Sequence, residues 1–288
     1  MAGGGARALA GCGGAKRMSE WIANARMYAV TPAVEDAWRE LLAHVAAEAG
    51  VTLRYRSYPA PRPLEDLWSR PDLGAVFMCG YPIALGLAPV VPLAAPIPRA
   101  PWAAGRAVYR TDLIVRQDAP YRTLEDTFGG IAGWTVAHSQ SGFNALRHEL
   151  LAFRRPDRPA LYAQVQGNLV TARNVLDGVR EGRLDVGPLD AYWHLLIARH
   201  APELTAGVRI LTSTAAAPMP ALVAAAGAAP ELLARLRAAF AAAATRPWFA
   251  ALAEPLLLEG FAPVNEDSYA LLLEWDRAAR AAGYERPA

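Results

Sequence analysis

Short apolar runs alternate with amphipathic segments along the chain, beginning with the apolar residues 27–30. Thr31 and Pro32 follow as a cap and a first helical residue, and apolar residues then recur at helical spacing until Gly50. Later apolar runs are again separated by helical patterns, which is typical of crossover units. The pattern therefore predicts an α/β fold with mixed, mostly parallel sheets flanked by helices.

The predicted elements fall into two groups along the chain, which indicates two lobes. Strands are expected at 27–30, 51–57, 73–79, 106–116, 134–137, 160–166, 184–187 and 208–215. The strand at 106–116 carries the chain into the second group, and the strand at 208–215 brings it back. We therefore expect a disordered or non-native extension at residues 1–20, a discontinuous lobe I formed by residues 21–108 and 212–288, and an inserted lobe II formed by residues 109–211.

The composition is that of a folded globular protein, and it argues against one class of partner. Of the 288 residues, 53% are apolar and 19% are charged, and the length suffices for two lobes with separate cores. The formal net charge is only +2, and no long run of basic residues occurs. Nucleic acid is therefore not expected as a partner.

Neither membrane insertion nor metal or cofactor binding is indicated. Proline residues interrupt the apolar stretches 83–98 and 215–230, so neither stretch predicts a membrane-spanning helix. Cys12 and Cys79 are too few for a disulfide framework or for a cysteine metal site. We expect no transmembrane segment, no metal and no cofactor.

The N-terminal residues leave the cellular location of the protein open. Residues 9–12 (Leu-Ala-Gly-Cys) have the form of a lipoprotein cleavage box, but the residues before them are rich in glycine and lack a leucine-rich core. As written, the sequence predicts a cytoplasmic protein. A truncated or misassigned start would instead make the protein periplasmic, or lipid-anchored at Cys12.

The turn from Ser139 to Gly142 is the main candidate for a binding site. It follows the apolar residues 134–137 and opens a helix whose apolar residues recur at helical spacing. The free amides of a helix start, the positive end of its dipole and the hydroxyl groups of Ser139 and Ser141 would all face one bound oxyanion. An ordinary helix cap explains the same residues. Both interpretations stay open at this point.

Nucleophilic catalysis is not indicated. His138 precedes Ser139, but neighbouring side chains on a strand point to opposite faces, so the two do not form a nucleophile and base pair easily. The sequence contains neither a G-x-S-x-G elbow nor a G-x-x-x-x-G-K phosphate loop. We expect no catalytic residues.

Several weak motifs occur in an order that resembles one protein family. From about Met27 to Ala282 the chain carries CGYP, YRTDLIVR, LED, SQSG, GN before a helix, and GRLDVGPLD. In this order and spacing the chain resembles the phosphate, phosphite and phosphonate substrate-binding proteins of ABC transporters, which have the type II periplasmic-binding-protein fold. The resemblance implies a monomeric two-lobed protein that closes over a small anion in an interlobe cleft and has an ABC permease as its partner.

The same resemblance implies the residues that bind the ligand. Ser139, Gln140, Ser141 and Gly142 fall where the family has its phosphonate-binding turn. Gln140 replaces the usual threonine there; its amide can still donate a hydrogen bond, but its length would change the pocket.

Four further residues complete the implied site. Tyr81 in CGYP matches an aromatic wall of lobe I, and Tyr28 is expected at the end of the first strand, facing the same cleft. Asn168 stands where relatives often have histidine, and Asp190 stands where they have an acid that can pair with a ligand amino group. Simple structural roles remain open: Tyr81 can fill a core edge, and Asn168 and Asp190 can cap helices.

Two other functions remain as alternatives to transport. Some cytoplasmic proteins with this two-lobed fold are enzymes, such as the chorismate dehydratase of menaquinone synthesis, so the chain could act on a small carboxylate. A ligand sensor that binds another protein is the second alternative. Both share the predicted fold and differ from transport in the event that ligand binding triggers.

Overall fold

The computed structural model describes residues 20–288. The expected extension at residues 1–20 and the candidate anchor at Cys12 therefore lie outside the described residues, apart from Glu20. Strands and helices alternate along the described chain, as the hydrophobic pattern predicts.

Short strands and helices run through all of residues 20–288. The strands are β1 (Trp21–Asn24), β2 (Leu53–Tyr55), β3 (Leu73–Met78), β4 (Val90–Pro98), β5 (Val108–Tyr109), β6 (Thr111–Arg116), β7 (Ile131–Gly133), β8 (Gln164–Gln166), β9 (Gly187–Asp190), β10 (Val208–Ser213), β11 (Ala217–Pro218), β12 (Ala221–Ala225) and β13 (Leu258–Pro263). The α-helices are α1 (Pro32–Ala49), α2 (Leu64–Trp68), α3 (Gly80–Ala84), α4 (Ala145–Leu151), α5 (Ala172–Arg180), α6 (Ala191–His200), α7 (Pro202–Thr205), α8 (Pro230–Ala242), α9 (Phe249–Leu256) and α10 (Ala270–Ala281). A π-helix covers Gln140–Asn144, and 3-10 helices cover Glu125–Thr127, Ala243–Thr245 and Glu266–Tyr269.

The ends of α1 follow directly from its sequence. The Thr31 hydroxyl accepts a hydrogen bond from the Val34 amide (3.3 Å), and Pro32 occupies the first turn. Gly50 ends the helix at a φ of 62°, a left-handed conformation that favours glycine. Within residues 20–288, no helix is both long enough and apolar enough to cross a membrane.

Two main sheets divide the molecule into the lobes. The larger sheet has the strand order β13-β4-β12-β3-β1-β2 and defines lobe I, whereas β10-β6-β9, together with the parallel pair β7-β8, defines lobe II. β1 pairs in parallel with β2 and β3, but β4, β12 and β13 join the larger sheet by antiparallel pairing. The expected mixture of strand directions is confirmed. Antiparallel pairs predominate among the described strands. One of them, β4 with β12, forms because the chain leaves lobe I after β4 and returns to it at β12.

The two lobes are connected through adjacent chain segments. β5, on the way out of lobe I, pairs antiparallel with β11 on the way back. Next to this pair, the Thr111 amide donates to the Thr214 hydroxyl (3.1 Å), and the Thr214 amide donates to the Thr111 carbonyl (2.9 Å). The crossing segments therefore form one hydrogen-bonded ribbon, which is the natural position of a hinge.

The C-terminal segment contributes to the core of lobe II, although we expected residues 212–288 in lobe I. α10 packs against α3 of lobe I and also against α4 of lobe II. Beyond α10, Tyr284 is buried in the lobe II core with Leu146 and Leu161. The Leu161 amide donates a hydrogen bond to the Ala288 carbonyl (2.9 Å). The chain thus passes between the lobes a third time.

Three predicted strands are displaced in the structure. The strand expected at 27–30 lies earlier, at β1, because the Asn24 side chain accepts from the Arg26 amide (2.9 Å) and turns the chain. The strand expected at 134–137 is β7, since its parallel pairing with β8 ends at Gly133. The strand expected at 184–187 is β9, which pairs with β6. The predicted start of a helix near Asp190 is confirmed.

Candidate functional site

A cavity of about 650 Å³ lies between the two lobes. Its lobe I wall comes from the segments 26–30 and 57–61, and its lobe II wall comes from the segments 135–141 and 170–174. The segments 26–30 and 135–141 follow the carboxyl ends of β1 and β7, which is where open α/β sheets bind their ligands.

The Ser139 turn forms one part of the lobe II wall. The Ser139 hydroxyl accepts a hydrogen bond from the Gly142 amide (3.0 Å), so this residue is the helix cap that the sequence also allowed. The Ser139 carbonyl accepts from the Asn144 amide (3.0 Å), which tightens the turn. Ser139 and Ser141 both line the cavity. Ser139 therefore caps the helix and lines the cavity at the same time.

Gln140, expected as a ligand donor, is turned away from the cavity. Its side chain is fully buried, and its Oε1 accepts a hydrogen bond from Asn144 Nδ2 (2.9 Å). The same Asn144 amide donates to the Leu272 carbonyl of α10 (3.0 Å). Gln140 is thus directed toward α10 because it lies in the π-helix between two serines that face the cavity.

Gly142 does not line the cavity but permits the shape of the turn. A Cβ atom at this position would lie 1.9 Å from Thr135 Oγ1 and 2.9 Å from Thr135 Cβ. The Thr135 amide also donates to the Gly142 carbonyl (3.2 Å). Only glycine allows the backbone to approach Thr135 this closely.

A second helix start meets the same cavity. The Thr171 hydroxyl accepts a hydrogen bond from the Asn174 amide (3.1 Å) and caps α5, whose first residues line the cavity. The sequence contained a signal for this site, since threonine three residues before asparagine can cap a helix. The cap that the sequence allowed at Asn168 concealed the one at Thr171.

Asn168, expected to contact the ligand, is exposed and does not line the cavity. Its backbone has a φ of 54°, and that of Val170 has a φ of 68°. These left-handed conformations turn the chain between β8 and α5. The turn directs Val170 and Thr171 to the cavity and leaves Asn168 outside it.

Asp190 caps α6 and lines the cavity. Its Oδ1 accepts from the amides of Tyr192 (2.9 Å) and Trp193 (3.0 Å), and its Oδ2 accepts from the Tyr28 hydroxyl (3.0 Å). Tyr28 is buried in lobe I, beneath the cavity rather than in its lining. The two residues, each predicted to face the cleft, therefore contact each other, and Tyr28 orients Asp190 instead of lining the cavity.

Burial raises the pKa of Asp190 from 3.8 to about 6, against the opposing effect of its hydrogen bonds. The folded protein therefore retains a proton that the unfolded chain releases, so the contribution of Asp190 to the free energy of unfolding falls as the pH rises from about 4 to above 6. We expect this fall to be about 1–3 kcal/mol smaller in Asp190→Asn, whose amide stays neutral. Urea unfolding at pH 4 and pH 8 measures it.

A matched control for this prediction is Asp267→Asn, which changes an exposed aspartate in the same way. This control should follow the wild-type dependence on pH. Parallel curves for wild type and Asp190→Asn would show that Asp190 does not titrate as proposed.

Tyr81, expected as an aromatic wall, lies outside the cavity lining. Its hydroxyl donates to Asp276 Oδ1 (2.8 Å) on α10, and the ring is buried. The reason is that CGYP does not form an open turn: Gly80 begins α3, and a Cβ atom there would lie 2.4 Å from the ring of Tyr269. The neighbouring Cys79 lines the cavity instead.

Charged side chains from both lobes reach the cavity. Arg26 comes from lobe I and Arg173 from lobe II, and neither was predicted because isolated arginines carry no sequence signal. Burial lowers the pKa of Arg26, but a guanidinium stays protonated in proteins. His138 Nε2 of lobe II lies 2.7 Å from Glu65 Oε1 of lobe I, so the lobes touch beside the cavity.

The arrangement suits a bound oxyanion. Two helix starts, with the positive ends of their dipoles, line one cavity together with Ser139, Ser141 and Thr171. Arg26 and Arg173 line it as well, with guanidinium groups that also donate to the Arg62 carbonyl and to Asp177, and Glu35 and Asp190 are the acids in the lining. Burial raises the pKa of the Cys79 thiol to about 12, so this residue adds no negative charge at neutral pH. No group of metal-ligating side chains is found within residues 20–288.

Two lobes, a ribbon of crossing segments and an interlobe cavity are the architecture of the periplasmic binding proteins. The chain belongs to the periplasmic substrate-binding proteins of ABC phosphonate transporters, whose family model matches residues 29–269. The resemblance stated from the sequence is therefore confirmed.

Solved structures share this fold at low sequence identity. A binding protein component of an ABC phosphonate transporter from Pseudomonas aeruginosa has a TM-score of 0.74 and 14% identity, covering 92% of this chain and 89% of its own. PhnD1 from Prochlorococcus marinus, in complex with methylphosphonate, has a TM-score of 0.73 and 12% identity, covering 93% of this chain and 100% of its own. XAC2383 from Xanthomonas citri, bound to a chloride ion, has a TM-score of 0.66 and 22% identity, covering 92% of this chain and 99% of its own. No curated protein matches the sequence.

Proposed function

We propose that this chain captures a phosphonate or phosphate-like oxyanion in the interlobe cavity and presents it to an ABC permease. One observation carries the proposal: the capped helix starts at Ser139 and Thr171 line the same cavity. A helix start offers free amides and a positive dipole end to an anion. Family membership and the methylphosphonate bound to PhnD1 from Prochlorococcus marinus support the choice of anion.

The roles of the predicted residues follow from their positions. Ser139 and Ser141 are proposed to contact the anion, with Thr171 and the amides of α5 on the adjoining wall. Asp190 is proposed to face any amino group of the ligand, because it lines the cavity while Tyr28 and two amides fix its orientation. Gln140 and Gly142 are proposed to shape the turn only.

Isothermal titration of the protein with phosphate, methylphosphonate and sulfate tests the proposal. We expect methylphosphonate or phosphate to bind, and we expect Ser141→Ala to weaken binding about tenfold or more, because a hydrogen bond to a charged group is lost. Thr171→Val should weaken binding similarly by removing the hydroxyl that orders the second helix start.

Ser69→Ala is the matched control, since Ser69 is exposed at the end of α2 and its hydroxyl bonds only the Glu65 carbonyl (2.7 Å). Its affinity should equal that of wild type. No heat with any of the three anions, or equal affinity in Ser141→Ala and Ser69→Ala, would overturn the proposed anion site.

We further propose that binding occurs without chemical conversion, in contrast to the enzymes that share this fold. Two titratable side chains of the cavity wall support this, because His138 pairs with Glu65 and Asp190 accepts three hydrogen bonds. Incubation of the protein with methylphosphonate, followed by phosphorus NMR, should return the compound unchanged. A new phosphorus signal that grows with protein concentration would favour the enzyme alternative.

A further inference from the structure

The cavity is larger than a simple oxyanion requires. Its volume of about 650 Å³ falls in the range of roughly 300–1,000 Å³ that is typical of sites for drug-sized molecules. Methylphosphonate, in comparison, consists of one tetrahedral group and a methyl group. A ligand of that size would leave most of the cavity to water.

The cavity has this volume although the two lobes touch each other beside it. His138 of lobe II meets Glu65 of lobe I (2.7 Å), and the rings of His138 and Trp68 form a T-shaped pair with 5.5 Å between their centroids. At the base, the Tyr28 hydroxyl bonds Asp190 (3.0 Å). The cavity therefore keeps its size while the lobes are in contact on two sides.

The wall of the cavity carries a rigid apolar surface besides its polar groups. Tyr58 is fixed by a hydrogen bond from its hydroxyl to the Pro63 carbonyl (2.9 Å), and the Arg26 guanidinium lies 5.6 Å from its ring centroid. Trp193 packs against both the lobe I core and a lobe II core, so its indole is held in place. Val170 is 39% exposed, and its backbone has a φ of 68°.

The conformation of Val170 supports a role in binding. A β-branched residue in the left-handed region is a genuine outlier, and such residues cluster at ligand clamps. Here the unfavourable backbone places an apolar side chain in the cavity wall, where water alone would give it no favourable contact.

We propose that the ligand is a phosphonate with a bulky apolar or aromatic substituent, held by its anion at the helix starts and by its substituent against Tyr58, Val170 and Trp193. This inference rests on the proposed function and adds the class of substituent. Apolar area removed from water then contributes to affinity in addition to the charge contacts.

Titration of the full chain with inorganic phosphate, methylphosphonate and phenylphosphonate tests the inference. We expect phenylphosphonate to bind tighter than methylphosphonate by on the order of tenfold or more, because a phenyl group buries several more carbons than a methyl group. In Trp193→Ala this ratio should fall to about one, and in Val170→Thr, which replaces one methyl group by a hydroxyl group of similar size, it should fall about threefold.

The matched control is Leu271→Ala, because Leu271 is an equally exposed apolar residue on α10 and does not line the cavity. Its ratio should equal that of wild type. Should Trp193→Ala fail to fold, Val170→Thr decides the test alone.

The outcomes separate this inference from the proposed function. Equal affinity for methylphosphonate and phenylphosphonate would overturn the inference and leave the anion site intact. A ratio that persists in both Trp193→Ala and Val170→Thr would also overturn it. Binding of none of the three compounds would remove the proposed function and the inference together.

Discussion

Replacing Asp276 by alanine is expected to lower the free energy of unfolding by about 3–5 kcal/mol, because it leaves a buried cation without its counter-charge. Asp276 accepts hydrogen bonds from the Tyr81 hydroxyl (2.8 Å) and from Arg280 Nε (2.8 Å), and it forms an ion pair with Arg147. Only 1% of the Arg147 side chain is exposed, so solvent cannot replace the lost carboxylate.

Urea unfolding measures this loss, and Glu274→Ala is the matched control. Glu274 is an exposed acid on the same helix, so its removal should change the free energy of unfolding by less than about 0.5 kcal/mol. If Asp276→Ala costs no more than Glu274→Ala, Arg147 finds another partner and the buried pair does not stabilise the fold.

The same pair gives a test in acid. Burial of Asp276 acts to raise its pKa, but hydrogen bonds from Arg147, Arg280 and Tyr81 outweigh burial and hold the pKa below its ordinary value. This stabilisation is present above about pH 4, the ordinary range of an unfolded aspartate, and is lost as the pH falls through the folded value. Wild type should therefore lose more stability than Asp276→Ala between pH 5 and pH 2.

Gly142→Ala is expected to reduce anion affinity by about a hundredfold. The new Cβ atom would lie 1.9 Å from Thr135 Oγ1, so the turn must move away from Thr135 and carry the Ser139 and Ser141 hydroxyls with it. Loss of two charge-assisted hydrogen bonds accounts for a change of this size. Isothermal titration with methylphosphonate measures it.

Gly227→Ala is the control for this substitution, because a Cβ atom at Gly227 meets nothing within 4 Å. Its affinity should match that of wild type. A second variant, Gly142→Ala with Thr135→Ala, removes two of the three clashing atoms and should recover part of the affinity. Wild-type binding by Gly142→Ala alone would show that the exact shape of the turn is unimportant.

Local signals in the sequence were sufficient to predict the fold and part of the candidate site. Alternating apolar runs, the Thr31 cap and Gly50 predicted the first crossover unit correctly, although β1 lies a few residues earlier than expected. The Ser139 turn was predicted because the start of a helix has a recognisable local sequence, whereas Asp190 was predicted from the resemblance to the family. Such features depend on residues that are neighbours along the chain.

Residues whose role depends on distant parts of the chain were not predictable in this way. Tyr81 bonds Asp276, which is 195 positions away, and this partner takes it out of the cavity. Gln140 is likewise directed by the carbonyl of Leu272 through Asn144. Arg26 reaches the cavity only because β1 ends at Asn24. Their positions follow from tertiary packing, for which a short motif has no signal.

Because the C-terminal residues return to lobe II, this lobe cannot be isolated as one continuous fragment of the chain. A fragment made of residues 109–211 would contain every strand of the smaller sheet except the last residues of β10, but it would lack Tyr284, which fills the core beside Leu146 and Leu161. It would also lose the carbonyl of Ala288 that accepts from Leu161. The inserted lobe is therefore not an exchangeable module, and chimeras between relatives must take the last residues of the chain from the same parent as this lobe.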